Sequence, residues 1–349
     1  MKKILAIVLS MLMVCACFTV HAEEAHKVGI SMPTRDLQRW NQDGEYMQRM
    51  FEEAGYVVDL QYAGNDVQTQ LSQIENMIAN GAEVLVIAAI EGSSLGEALD
   101  MAAEYGIPVI AYDRLLMESD AVSFYATFDN YKVGTVQGTY IKDTLDLDNA
   151  EGPFNLEITA GDPGDNNALF FYQGAIDVLA PYIESGKLVV VSGQTEFEQV
   201  ATPLWSTATA QSRAENILST YYNDGTVLDA WLCSNDSTAL GVTNALVANY
   251  TGAYPIVTGQ DCDVANTKNM IAGLQSMSVF KDTRTLAAQV VHMVTQIFNG
   301  EEVDVNDRET YNNGVIVVPS FLCEPVFADA NNYEEILIES GYYTPDQLQ

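Results

Sequence analysis

From residue 27 onward, short β-branched runs alternate with amphipathic helical stretches, an alternation that restricts the chain to open α/β architectures built on parallel sheets. Strands are predicted at 28–32, 57–62, 84–89 and 107–112. Helices are predicted between them at 38–54, 67–79 and 94–105, each stopped by a glycine (Gly55, Gly81, Gly106). The rhythm restarts after Phe128-Asp129-Asn130, with helices at 131–145, 168–182, 207–222 and 238–249 and strands at 154–159, 188–192, 227–233 and 255–259. Two doubly wound parallel-sheet domains are therefore expected in one chain. A helix at 286–298 and a strand at 314–318 are left over, and no short-period repeat appears.

Met1-Lys2-Lys3 and the apolar run 4–20 read as a signal peptide, with Val20-His21-Ala22 placing cleavage before Glu23. A rival reading takes Val14-Cys15-Ala16-Cys17 as a loose lipobox, which makes Cys17 a lipidated first residue. The rest of the 349-residue chain is too long for one core and suits two. Its formal net charge of −33 grows two units more negative once Lys2 and Lys3 are removed, a field that repels nucleic acid and anionic membrane. Three cysteines remain beyond the leader: Cys233, Cys262 and Cys323. They cannot all pair with one another; Cys233 and Cys262 follow similar strand patterns and are candidates for one disulfide. With three histidines in the whole chain and no metal-ligand spacing, no metal or cofactor is expected.

In open α/β sheets, ligands sit beyond the carboxyl ends of the strands. The residues following the predicted strands are Arg39-Trp40, Asp113-Arg114, Asp165-Asn166-Asn167, Trp205, Asn235-Asp236, Asp261 and Lys281. This mixture of carboxylates, amides, cations and indoles suits a sugar ring. Its hydroxyls both donate and accept, and its C–H faces pack on indole. Two of the three tryptophans, Trp40 and Trp205, lie in such loops, one per domain; Trp231 sits in an apolar strand and reads as core. Each candidate has a plainer reading too: Asp165 and Asn235 as helix N-caps, Asp113-Arg114 as an internal ion pair, Lys281 as a hinge residue.

The ordered series Arg39-Trp40, the segment 70–76 (QLSQIEN), the segment 110–114 (IAYDR), the segment 125–130 (YATFDN), Asp165-Asn166-Asn167, the segment 200–202 (VAT) with Trp205, Ser234-Asn235-Asp236, Gly259-Gln260-Asp261 and the segment 280–284 (FKDTR) resembles periplasmic multiple-sugar-binding receptors of the xylose-binding type. The likeness runs along nearly the whole chain beyond the leader. It implies a type I periplasmic-binding-protein fold, an α/β pair of domains joined by three crossovers. These are expected near Asp129-Asn130, Phe280-Lys281 and Val318-Pro319, giving domains of 26–129 plus 282–318 and 130–281 plus 319–349, with 1–22 as leader. The implied ligand contacts are Arg39, Asp113, Arg114, Asp165, Asn167, Asn235, Asp261 and Lys281, with Trp40 and Trp205 as the stacking pair. The resemblance further implies an exported monomer that takes a monosaccharide such as xylose, glucose, galactose or arabinose to an ABC-type membrane permease, or serves a chemoreceptor or two-component sensor.

Other classes fit less well. A sugar-responsive repressor needs a helix-turn-helix and a basic DNA face, which the acidity contradicts. No phosphate-cradling glycine motif follows a strand. A glycosidase needs two carboxylates flanking one bond, one with a raised pKa, and the loops pair their carboxylates with hydrogen-bonding partners instead.

Overall fold

The computed structural model of the protein describes residues 25–349, so the leader and Cys17 readings fall outside the described residues. In the first domain the elements run β1 (Lys27–Met32), α1 (Gln38–Glu53), β2 (Val57–Tyr62), α2 (Val67–Ala79), β3 (Val84–Ile87), α3 (Gly96–Glu104), β4 (Val109–Tyr112) and β5 (Val122–Phe128). The late strand Ser320–Cys323 adds to the edge, and the all-parallel sheet runs in the order Ser320–Cys323, β5, β4, β3, β1, β2. β3 explains why the pattern reads as a continuous apolar run: Val84 and Val86 face the layer holding Met47 and Phe51 of α1, while Leu85 and Ile87 face the layer of Ile74 and Leu99. A parallel strand covered on both faces needs no polar alternation.

The second domain follows with α4 (Asn130–Thr144), β6 (Phe154–Thr159), α5 (Asn166–Glu184), β7 (Leu188–Val190), α6 (Thr207–Tyr221), β8 (Ala230–Cys233), α7 (Asp236–Asn249), β9 (Ile256–Val257), α8 (Val264–Ile271) and β10 (Met277–Phe280). Its parallel sheet has the order β7-β6-β8-β9. A parallel bridge from Gln260 to Val279 joins β10 to this sheet's end. α4 and α5 pack with backbones in contact, and a Cβ on Gly134 would come within 2.0 Å of the Phe171 carbonyl oxygen. Trp231 is fully buried, its indole N–H donating to Thr159 Oγ1 at 2.9 Å, which is the core role expected of it.

After β10 the chain returns to the first domain. There α9 (Thr283–Asn299) buries Leu286, Val290 and Val294 in the same layer as α1. β11 (Ser320–Cys323) pairs with β5, and β12 (Val326–Asp329) pairs antiparallel with β10 in the second domain. The third crossing thus falls at residues 324–325, not at Val318-Pro319, and residues 319–323 belong with the first sheet. The β-branched run 314–318 that reads as a strand is instead a turn. Asn313 holds it: its Nδ2 donates to the carbonyls of Leu116 and Ser119, and its Oδ1 accepts from the N–H groups of Val315 and Ile316. β5, unassigned from sequence, is the strand that β11 needs as its neighbour.

Cys233, Cys262 and Cys323 are all buried thiols, and the candidate Cys233–Cys262 disulfide is absent. The two belong to different packed clusters, and the Cys262 sulfur contacts the Ser278 carbonyl at 3.6 Å. Among the described residues no helix is long and apolar enough to cross a membrane.

Candidate functional site

The carboxyl ends of both sheets face each other across one cavity. Arg39 and Trp40 occupy the first turn of α1, and four residues on, fully buried Asp43 takes two hydrogen bonds from the Arg39 guanidinium, both at 3.1 Å. Tyr112, at the end of β4, also donates to Asp43. That anchored guanidinium then reaches Asp113 Oδ2 at 2.9 Å and, across the domain boundary, Asp261 Oδ1 at 3.2 Å.

Asp113 follows β4 with φ +58°, and Asp261 follows β9 with φ +100°. Trp205 has φ +54°, after Leu204 at +55°. Non-glycine residues in this region are uncommon and cluster at functional sites, where surrounding contacts hold them. Here those contacts are visible: the N–H groups of Asp113 and Asp261 bond the carbonyls of Ala126 and Val279 at 2.8 Å each.

Arg114 donates to the carbonyls of Ala89 and Ile90 at 2.9 and 3.2 Å, and its Nε lies 3.0 Å from Asp165 Oδ2. Asp165 caps α5 through Oδ1, accepting from the Asn167 N–H at 3.0 Å, while Oδ2 accepts from the Trp205 indole at 3.3 Å. Asn235 caps α7 by accepting from the Thr238 N–H at 3.0 Å, and its Nδ2 donates to Ser237. The capping and cavity readings of these residues are therefore compatible. Lys281, just past β10, sits 3.6 Å from Asp113 and 3.5 Å from Asp261, with its ammonium over the Phe171 ring.

Leu37, Arg39, Trp40, Asp113, Arg114 and Asp165 line the cavity, as do Trp205, Asn235, Asp261 and Lys281. The empty space between these residues, open mouth included, is about 390 Å³. Asn167 alone among the ten candidates does not line it. Its Nδ2 donates to the Asp113 carbonyl at 2.6 Å and its Oδ1 accepts from Tyr125 and Asn130, so it braces the Asp113 loop from the other domain. Leu37, Phe171, Ser237, Gln260 and Asp263 line the cavity although sequence reasoning did not select them. Gln260 and Ser237 sit inside or beside motifs already noted, so adjacency was the available signal; Phe171, one turn into α5, carried none.

Charge in the cavity is close to balanced. Burial opposes the positive charge of Arg39, but Asp113, Asp43 and Asp261 overcome this and hold its pKa well above the ordinary value. For Asp113, burial acts to raise the pKa, yet Arg39, Lys281 and Arg114 together bring it below the usual carboxylate value. Burial raises Asp165, only partly offset by Arg114, and lifts Asp43 to about 6 and Asp263 to about 7. Several buried polar atoms have no aligned hydrogen-bond partner: Asp113 Oδ2, Arg114 Nε, Asp263 Oδ1 and the Trp40 indole nitrogen. The first two are within 3.0 Å of an opposite charge, but the hydrogens do not point along the contact, which leaves attraction without a directional bond. Such atoms suit ligand hydroxyls.

Two α/β domains, linked by three strands of chain and meeting around a shared cavity of matched donors, acceptors and indole faces, define a hinged receptor for a small polar ligand. The chain belongs to the periplasmic binding proteins, a family of binding proteins rather than enzymes: the family described as "Periplasmic binding protein domain" matches residues 28–302. It is 49% identical, over 100% of both chains, to the multiple sugar-binding periplasmic receptor ChvE of Rhizobium radiobacter. The D-xylose-binding periplasmic protein of Escherichia coli (strain K12) is 36% identical over 94% of each chain. A solved ABC transporter solute-binding protein from Clostridium phytofermentans, with bound β-D-glucose, is 68% identical with a TM-score of 0.92, covering 93% of this chain and 100% of that one.

Proposed function

We propose that the protein captures a single pyranose, with glucose and xylose the first candidates, between its two domains and delivers it to an ABC-type permease. The observation that carries this reading is the pairing of Trp40 and Trp205, one from each domain, around a ring of near-balanced charged and amide groups. A neutral polyol satisfies such a ring without adding charge, and the indoles exclude water from its C–H faces. The sugar-binding relatives support the same ligand class. Arg39, Trp40, Asp113 and Arg114 come from one domain and Asp165, Trp205, Asn235 and Asp261 from the other. The sugar therefore has its full set of partners only when the domains are together, and that differential affinity favours the closed form. The protein acts outside the cytoplasm, free after cleavage before Glu23 or held by a lipid on Cys17; mass spectrometry of the native N-terminus separates the two.

Thermal unfolding across a panel of D-glucose, D-xylose, D-galactose and L-arabinose tests the ligand class. A sugar present at a hundred times its Kd adds about 2.7 kcal/mol of apparent stability, a readily measured rise in midpoint. At least one member should produce it. No shift from any aldose at millimolar concentration rejects the sugar reading.

A further inference from the structure

Gln38 and Gln42 lie one turn apart on α1, the helix that carries Arg39 and Trp40, and neither lines the cavity. Both reach the second domain. Gln38 Nε2 donates to the Tyr343 hydroxyl at 2.6 Å, and its Oε1 accepts from the Val264 N–H at 3.1 Å. Gln42 Nε2 donates to Tyr343 at 3.5 Å, while Gln42 Oε1 accepts from the Tyr342 hydroxyl at 3.0 Å. The Tyr343 hydroxyl donates in turn to the Cys262 carbonyl at 2.9 Å, next to Asp261. A phenol can donate once and accept twice, so this hydroxyl is fully used.

The tyrosines are buried in a second-domain cluster with Cys262, Met270, Phe280 and Leu337. Tyr342 packs edge-on against Phe280, the last residue of β10, and its hydroxyl is 3.1 Å from Thr283 Oγ1 at the start of α9. The C-terminal segment thus ties the second crossing, the Asp261 loop and α1 together. Every partner in these bonds is a protein group outside the cavity lining.

We infer that Gln38 and Gln42, with Tyr342 and Tyr343, form a ligand-independent clasp that sets sugar affinity by holding the Arg39–Trp40 helix against the second domain. These are positioning residues; they act through the domain equilibrium, not through contact with the sugar. Apparent affinity equals intrinsic affinity scaled by the fraction of molecules competent to bind. Weakening the clasp therefore lowers affinity for every sugar by one common factor, whereas changing a cavity residue alters sugars unequally.

This inference rests on the sugar-binding reading for its affinity arm, and a ligand-free arm keeps the two separable. Tyr343→Phe keeps the ring and removes the hydroxyl; Gln38→Ala removes the facing amide. Calorimetry with the aldose panel should show each variant raising Kd about three- to tenfold for every sugar, in unchanged rank order, with the double variant losing less than the product of the singles. Small-angle scattering without sugar should show a larger radius of gyration in both variants than in wild type. A reordered panel, unchanged affinities in folded variants, or an unchanged ligand-free radius overturns the clasp. Should wild type bind no aldose, the sugar reading falls and the ligand-free scattering alone decides the clasp.

Discussion

Replacing Arg39 with Met removes the cation shared by three buried carboxylates while keeping an unbranched apolar stem of similar reach. Asp43 and Asp113 lose a partner within their own domain, and Asp261 loses its contact across the boundary. Breaking a buried pair by deleting one member typically costs about 3–5 kcal/mol, which for domains of this size lowers the melting temperature by about 6–20 °C. The cost depends on pH in a defined direction. Asp43, already lifted to about 6 by burial despite the guanidinium beside it, takes up a proton more readily once Arg39 is gone. Protonation removes the uncompensated charge, so the deficit of Arg39→Met should shrink between pH 7.5 and pH 5.5. Sugar affinity should fall about a hundredfold or more, since both a donor and the arrangement of Asp113 and Asp261 are lost. Thermal unfolding at the two pH values and calorimetry at the higher one measure these effects. An equal deficit at both pH values, with affinity within threefold of wild type, refutes the reasoning.

Asp43 and Asp263, pushed up to about 6 and about 7, have folded pKa values above that of an unfolded carboxylate. Their contribution to stability is complete below about pH 3.9 and is lost as pH rises through their folded pKa values. The wild-type melting temperature should decline from pH 5.5 to pH 8, and Asp43→Asn or Asp263→Asn should flatten the decline; a slope unchanged in both variants contradicts this. Gly161→Ala places a Cβ 1.9 Å from the Trp205 ring, so calorimetry should show sugar affinity reduced about tenfold or more as the indole is displaced. Asn167→Ala removes the amide that donates to the Asp113 carbonyl and accepts from Asn130, and chemical denaturation should register a loss of about 1–3 kcal/mol. Asp113→Ala and Asp261→Ala should each weaken sugar binding about five- to a hundredfold by calorimetry, and unchanged affinity in both removes them from the site.

Much of the fold was legible because a doubly covered parallel sheet writes itself as apolar runs separated by glycine-stopped helices, as β3 between α2 and α3 illustrates. The site was legible for a related reason. Its residues follow strand ends, so the placement of Asp113 after β4 or Asp165 after β6 needs no long-range information. What sequence could not supply was long-range. β5 and β11 are strands because each supplies the other's edge hydrogen bonds, and β11 lies almost two hundred residues from its partner. The run 314–318 has strand composition but is bent by Asn313, whose side chain is satisfied by a loop of the first domain. Asn167 shares its loop with Asp165, and only the direction of its side chain, toward Tyr125 and the Asp113 carbonyl, decides that it braces the cavity instead of lining it. The tyrosines of the C-terminal segment carried no local signal at all, since their partners lie on α1 about three hundred residues away.

The central claim is that a sugar ring sits between Trp40 and Trp205. Trp231 is buried in the second domain's core, so a Trp231→Phe variant reports emission from the two cavity indoles alone. Titrating that variant with an aldose that calorimetry shows to bind should change the emission along a saturable curve with the calorimetric Kd, because the ring displaces water from both indole faces. Calorimetric binding with emission unchanged to saturation would place the sugar elsewhere and contradict the account.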